Sequence, residues 1–467
     1  MQRRFEKIVI IHPPMNLKLV YQTPRLRSPN RTLVFMTSIL RRHLHKFAGS
    51  IIGIPRAPPD RILGLTEQYK TDPNPQKTNL TVGIYKDNFG EVKTFPSVAK
   101  AQAILDEHIE LNIDLSYLPI NGCPAFQENV LKFLYRESCP AGGELLDKEL
   151  VSFVQTLSGT GALAVTSKFL SSFISRSVWI PNPSWANHSN VFWNNGFKEI
   201  NCYTYYRDGE LDVDGWLLDL ERKSGAGRTD APQCIVLHAC CHNPTGVDPT
   251  PEQWVRIMDK VHELQLIPII DMAYQGLDTG DLFQDAHLLR LCLDSNRYRW
   301  NNGLFLCQSF AKNMGLYGER VGSLSVVTPH SVDVKRNIDS QLKKIVRGMY
   351  SSPPGYGSRI ANLVLSSSHL KELWVEDVKN MAGRLQSVKS RLAAQLEWAS
   401  LRDPSRQHGM FLYTGLNRSC VDILREKYSI YLLQDGRLSL SGLNDSNIDY
   451  VCEALRNVSH HLNEKEA

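Results

Sequence analysis

The sequence predicts an α/β fold in which a mostly parallel sheet lies between helices, joined to a second, smaller α/β domain. Two observations carry that prediction. From Pro59 onward short apolar runs alternate with longer stretches of helical periodicity, the order expected of strands joined by crossover helices. Near Lys371 the alternation stops and one long amphipathic pattern takes over. With 467 residues and 42% hydrophobic content the chain can bury a large core, and its length suits two or three globular units.

The first 59 residues read differently from the rest. They hold eleven Lys or Arg and one acid, Glu6, whereas the remaining 42 basic and 47 acidic residues leave the body mildly acidic. The net charge of +5 is therefore a property of the tail, and the body shows no basic stripe with interleaved aromatics of the kind that binds nucleic acid. From Thr37 to Ile51, Leu40, Leu44, Phe47 and Ile51 recur at helical spacing, with Arg41, Arg42, His45 and Lys46 on the other side. An amphipathic, Arg-rich, acid-poor leader resembles a mitochondrial transit peptide, and a disordered basic arm is the alternative. Met15 and Met36 are both candidate starts within it, and the sequon Asn79-Leu80-Thr81 has no use on that route. The ten cysteines form neither CxxC pairs nor a regular framework, so reduced thiols and no metal site are expected. No apolar run approaches the length of a membrane span.

In the body the expected strands are Val178–Ile180, Cys234–Leu237, Leu266–Ile270, Leu304–Cys307 and Val321–Val327, with Pro251–Leu264 as an intervening helix. Beyond Lys371, Trp374, Val378, Met381, Leu385, Val388, Leu392 and Leu396 step by four and three along one long helix. The expected division is residues 1–55 as leader and start of an N-terminal arm, 56–94 as the rest of the arm and the first part of the small domain, 95–375 as the large domain, and 376–467 as the small domain entered through that helix.

The chemically informative residues sit where strands end, the place at which ligands collect in open α/β sheets. Trp185 follows VWIPNPS, Asn243 follows CIVLHACCH, Asp271 follows LIPII, and Lys312 follows FLCQSFA. Singly each has a structural explanation: a buried ring, a turn, a helix cap, a solvated amine. A fifth piece is LSGTGALAV, in which Ser158 to Gly161 precede a helix-like run and offer backbone N–H groups to an anion, without the ending of a Walker A loop or a GxGxxG fingerprint. An amine that bonds an aldehyde, a carboxylate that keeps a pyridine nitrogen protonated, and a phosphate cradle together describe the needs of pyridoxal 5'-phosphate.

These segments, SFAKNMGLYGERVG, LSGTGAL, NPSWANH, HACCHNPTG, DMAYQG, YLPI, QHGMF and GRLSLSGLN, resemble in order those of the aspartate aminotransferases, and the leader resembles that of the mitochondrial form. The resemblance runs from about Arg56 to the C-terminal region and implies the type I fold of pyridoxal-phosphate enzymes. It implies that Lys312 bonds the cofactor and acts as base, that Asp271 pairs with the pyridine nitrogen, and that Tyr274 and Asn243 bond the phenolic oxygen while Trp185 stacks on the ring. Ser158, Gly159, Thr160, Ser309 and Arg320 are implied as the phosphate cup, with Tyr117 reaching the neighbouring subunit's cofactor and His188 and His242 behind the ring. Arg437 is implied as the clamp for the substrate's α-carboxylate, Arg347 of the other subunit as the clamp for the distal carboxylate, and Gly83 as a backbone contact to substrate. Guanidinium grips carboxylate in a planar fork, so two such clamps select dicarboxylates. The implied enzyme is a mitochondrial-matrix homodimer exchanging the amino group between aspartate and 2-oxoglutarate.

Two positions depart from that pattern. Ala311 stands where Ser is frequent, removing a hydroxyl near the phosphate, and Ser352 stands where Asn is usual before Pro353-Pro354. An aromatic or broad-specificity aminotransferase of the same fold is the alternative, disfavoured by an arginine at position 347. A non-enzymatic scaffold descended from such an enzyme is disfavoured because no catalytic group is lost.

Overall fold

The computed structural model describes residue 51 and residues 54–56, 63–110, 116–225, 232–328, 330–396, 398 and 401–466. The leader helix expected over Thr37–Ile51 lies outside them except for Ile51. Residues 60–467 hold together as one unit.

The centre is a seven-stranded sheet. In chain order its parts are β1 (Val151–Leu157), running into helix α1 (Ser158–Phe173); β2 (Ser177–Asn182), followed by α2 (Asn187–Asn194); β3 (Glu199–Thr204); β4 (Cys234–His238), followed by α3 (Pro251–Glu263); β5 (Ile267–Met272); β6 (Leu304–Ser309); and β7 (Val321–Val327). The spatial order is β1-β7-β6-β5-β4-β2-β3. All neighbours are parallel except β7, which runs antiparallel to both β1 and β6. The five expected strands are thus present. β4, β5, β6 and β7 are buried along their whole length, which is why they read as continuous apolar runs: helices cover both faces. α3 starts with a reciprocal capping box between Thr250 and Gln253, with proline next to the cap.

After α4 (Val332–Met349), the long helix α5 spans Ser368–Gln395 and buries Trp374, Val378, Met381, Leu385, Val388 and Leu392, the stripe read from spacing. Leu396, expected to continue it, is the extended residue that ends it. Beyond α5, β8 (Phe411–Tyr413) pairs antiparallel with β9 (Arg437–Ser439). Thr78–Asn79 pairs in parallel with Ile430–Tyr431, which joins the N-terminal stretch to the C-terminal part of the chain.

Candidate active site

Parallel strands bring their C-terminal ends to one edge, and the register shows what meets there. His238 at the end of β4 lies beside Asp271 of β5, which lies beside Cys307 of β6. β1 ends at the same edge, so the turn into α1 places Ser158, Gly159 and Thr160 next to Ser309. The Ser158 and Ser309 hydroxyls bond at 2.8 Å, and Ser309 Oγ also accepts from the Ala311 N–H at 3.2 Å. The helix begins at Ser158 itself, so these residues are its first turn and not a loop ahead of it, and their free N–H groups form its positive end.

A cavity of about 100 Å³ opens at this edge, and Ser158, Gly159, Thr160, Trp185, Asn243, Asp271, Tyr274, Ser309, Lys312 and Arg320 all line it, together with His238, Leu163, Ala273, Ala311 and Tyr317. Ten residues chosen from separated segments of sequence therefore share one cavity. A Cβ on Gly159 would stand 3.4 Å from Ser309 Cβ and 3.9 Å from Asp271 Oδ1, narrowing its floor.

The electrostatics suit an exchange of protons. The Lys312 amine sits 4.6 Å from the centre of the Tyr274 ring. Desolvation, aided by the charges of Arg320 and Arg437, pushes it down to about 8 against the opposing pull of Asp271. Burial would raise Asp271, but the His188 hydrogen bond at 3.1 Å and the electrostatic pull of its neighbours, Lys312 among them, outweigh it and hold the carboxyl below its usual value. Asp271 thus stays an anion. Its Oδ2 is engaged by His188, whose other nitrogen meets Ser184 Oγ at 2.8 Å, while Oδ1 is buried with no partner among the described residues. A buried anionic acceptor left open in a cavity suits a protonated ring nitrogen.

Burial keeps His238 and His242 well below the usual histidine range, so both are neutral. His238 Nδ1 accepts the Asn243 N–H at 3.2 Å, and His242 bonds Thr245 at 2.8 Å while stacking 3.6 Å from the Tyr205 ring. His242 does not line the cavity; His238, which the motif reading passed over, does. It is the last residue of β4, directly in register with Asp271.

Arg437 is 4% exposed and donates to Asn243 Oδ1 at 3.1 Å and to the Thr81 carbonyl at 2.7 Å, over the Phe411 ring at 4.4 Å. Its Nε is buried and meets no acceptor among the described residues, an open donor of the type a carboxylate takes. Gly83 packs so closely on Phe411 that a Cβ there would come within 2.6 Å of the ring. Arg437 and Gly83 stand outside the cavity's lining, and two further residues stay apart from it on the surface. Tyr117 is 92% exposed, and Arg347 is exposed on α4 with its guanidinium bonded to Ser351; neither lines the cavity.

A doubly covered sheet of this order, with an amine, an open carboxylate and a helix N-terminus around one cavity, is the fold of the pyridoxal-phosphate-dependent aminotransferases. The aminotransferase class I and II family model matches residues 75–455, and the chain belongs to that family. It is 58% identical to the mitochondrial aspartate aminotransferase of Saccharomyces cerevisiae over 430 residues, 88% of this chain and 95% of the relative. Among solved structures, the aspartate aminotransferase of S. cerevisiae cytoplasm superposes with a TM-score of 0.79 at 35% identity, over 87% of this chain and 98% of that one. An aromatic-amino-acid aminotransferase from Burkholderia pseudomallei, covalently bound to pyridoxal phosphate, gives a TM-score of 0.78 at 36% identity, over 88% of this chain and 99% of that one.

Proposed function

We propose that the protein is an aspartate aminotransferase, moving the amino group between L-aspartate and 2-oxoglutarate to give oxaloacetate and L-glutamate. The observation that carries the reading is Lys312: a desolvated amine facing Tyr274 in the same cavity as the open oxygen of Asp271. In this reading pyridoxal phosphate would be held by the α1 N-terminus, Ser158, Gly159, Thr160, Ser309 and Arg320 at its phosphate, by Asp271 at its ring nitrogen, by Tyr274 and Asn243 at its phenolic oxygen and by Trp185 on its face. Bound there, the cofactor supplies an electron sink for the bonds of the substrate's α-carbon. Lys312 would be the amine that bonds the cofactor's aldehyde and, as a neutral amine, would serve as the base for the proton on the substrate's α-carbon. Asp271, kept anionic by His188, holds the ring nitrogen protonated. Arg437 grips the α-carboxylate through its open edge while Asn243 and Thr81 fix the guanidinium plane.

Arg347 and Tyr117 would complete the neighbouring site in a homodimer, Arg347 receiving the distal carboxylate. The division into arm, large domain (95–375) and small domain (376–467) belongs to the same reading, with Gly83 on the small-domain side of the site. So does a mitochondrial-matrix location: a reporter fused to residues 1–59 should be imported and trimmed, and equal import of a version starting at Arg56 would refute the leader.

The function is tested by a panel of amino donors with 2-oxoglutarate as acceptor. Aspartate should be used far better than phenylalanine or tyrosine. Equal or better use of the aromatic donors would favour a broad-specificity enzyme instead.

A further inference from the structure

Three of the segments that build the site are tied together a second time, outside the cavity. Asp278 stands four residues after Tyr274, Asp248 five after Asn243, and His408 three before Phe411, and their polar atoms lie within 4.8 Å of one another. His408 Nδ1 bonds Asp278 Oδ1 at 2.7 Å, and the His408 N–H donates to the Gly246 carbonyl at 2.6 Å. Asp248 accepts the N–H groups of Cys241 and His242 at 2.5 and 2.8 Å. Lys389 of α5 reaches the same place and donates to the Gln407 carbonyl at 2.6 Å. Two glycines with positive φ permit the approach: a Cβ on Gly246 would stand 2.4 Å from the Phe411 carbonyl oxygen, and one on Gly409 2.5 Å from Cys241 Cβ.

We infer that His408 and Asp278 are a positioning pair for the α-carboxylate clamp, holding Phe411, and the Arg437 guanidinium above it, in register with Asn243 and Tyr274. The inference rests on the aminotransferase reading and extends it to residues that do not line the cavity. The charged groups that act on His408 are Asp278, Asp248 and Lys389, and Asp285 accepts the Asp278 N–H at 3.1 Å. Asp285 itself is pushed up to about 6, first by burial and then by Asp278. Burial pulls His408 down and Lys389 does likewise, but the Asp278 hydrogen bond and the two carboxylates prevail, so the imidazole stays protonated above the usual histidine value. A raised value means that the tie is complete below the ordinary histidine range and is lost as pH rises through the raised one. Both partners are partly exposed, so solvent weakens the pair without abolishing it.

The test compares steady-state kinetics of the wild-type, Asp278→Asn and His408→Asn holoenzymes from about pH 6 to about pH 9, the span in which such a histidine titrates. In the wild type KM should rise with pH across that span, and any change in kcat, which follows the Lys312 amine, should be the same in the two variants. His408→Asn should show a KM already raised roughly tenfold at the acid end, the size of one charge-assisted hydrogen bond, and without the histidine's pH-dependent rise. Asp278→Asn should move the rise to lower pH. The effect should be the same for donors with and without a distal carboxylate, since the clamp grips the α-carboxylate of each. An active wild type whose KM profile is unchanged in both variants, or raised by one factor at every pH in Asp278→Asn, would overturn the positioning role alone. A wild type inactive with every amino donor would overturn the parent reading and this inference with it.

Discussion

Lys312 must lose its proton before it can do anything useful, and its surroundings do most of that work. With the amine pushed down to about 8, roughly 300 times more of it is neutral at pH 7 than of a lysine in water. The rate at which the cofactor-free protein takes up pyridoxal phosphate should therefore climb as pH rises through about 8 and then level off. A rate still climbing steeply near the ordinary lysine value of 10.5 would show that the site does not depress it. The meeting of Lys312, Asp271, Asn243 and Trp185 in one cavity was legible because motif and strand end coincide: each follows a readable apolar run. His238 was not, since its partnership with Asp271 depends on how β4 and β5 are offset, and two parallel strands separated by α3 carry no local record of their register. Arg437 was read as a clamp, but its bonds to Asn243 and Thr81 span 194 and 356 residues of chain and are visible only in three dimensions.

Among the elements, α5 shows how packing reaches the site. Trp374, fully buried on it, lies 5.4 Å from the Phe133 ring and donates its indole N–H to the carbonyl of Asn313, the residue after Lys312, at 2.7 Å. Trp374→Ala should lose about 3–5 kcal/mol of stability, the range for deleting a large buried aromatic, measured by urea unfolding with the cofactor present. A loss under about 1 kcal/mol would mean that the helix relaxes into the space and is not a rigid support for Lys312. The stripe of α5 was readable from spacing because one face is buried throughout. Its end was not, because Leu396 keeps the periodicity and stays buried while its backbone has already become extended. The opposite error occurred at α1, where small polar residues look like a loop although Ser158 already begins the helix. The pairing of Thr78–Asn79 with Ile430–Tyr431 had no sequence signal, being two residues long and some 350 residues apart.

At the scale of the whole molecule, the exposure of Arg347 and Tyr117 is what a shared active site requires of a single protomer. In a closed site a distal carboxylate has lost most of its water, so deleting its partner leaves a charge unpaired at a cost of about 2–5 kcal/mol, or about 30-fold to several-thousand-fold in kcat/KM. Arg347→Ala should lose that much with aspartate and glutamate and much less with alanine or phenylalanine; an equal loss with all four would refute the clamp. Mixing Arg347→Ala with Lys312→Ala protomers should regenerate wild-type sites in mixed dimers, and no recovery despite proven subunit exchange would refute the cross-subunit placement. These expectations stand on one prior claim, that Lys312 is the amine that bonds the cofactor. Borohydride reduction of the cofactor-loaded protein, followed by peptide mapping, measures that directly: the expected result is a single pyridoxyl label on Lys312, and a label on any other lysine, with Lys312 unmodified, would contradict the account.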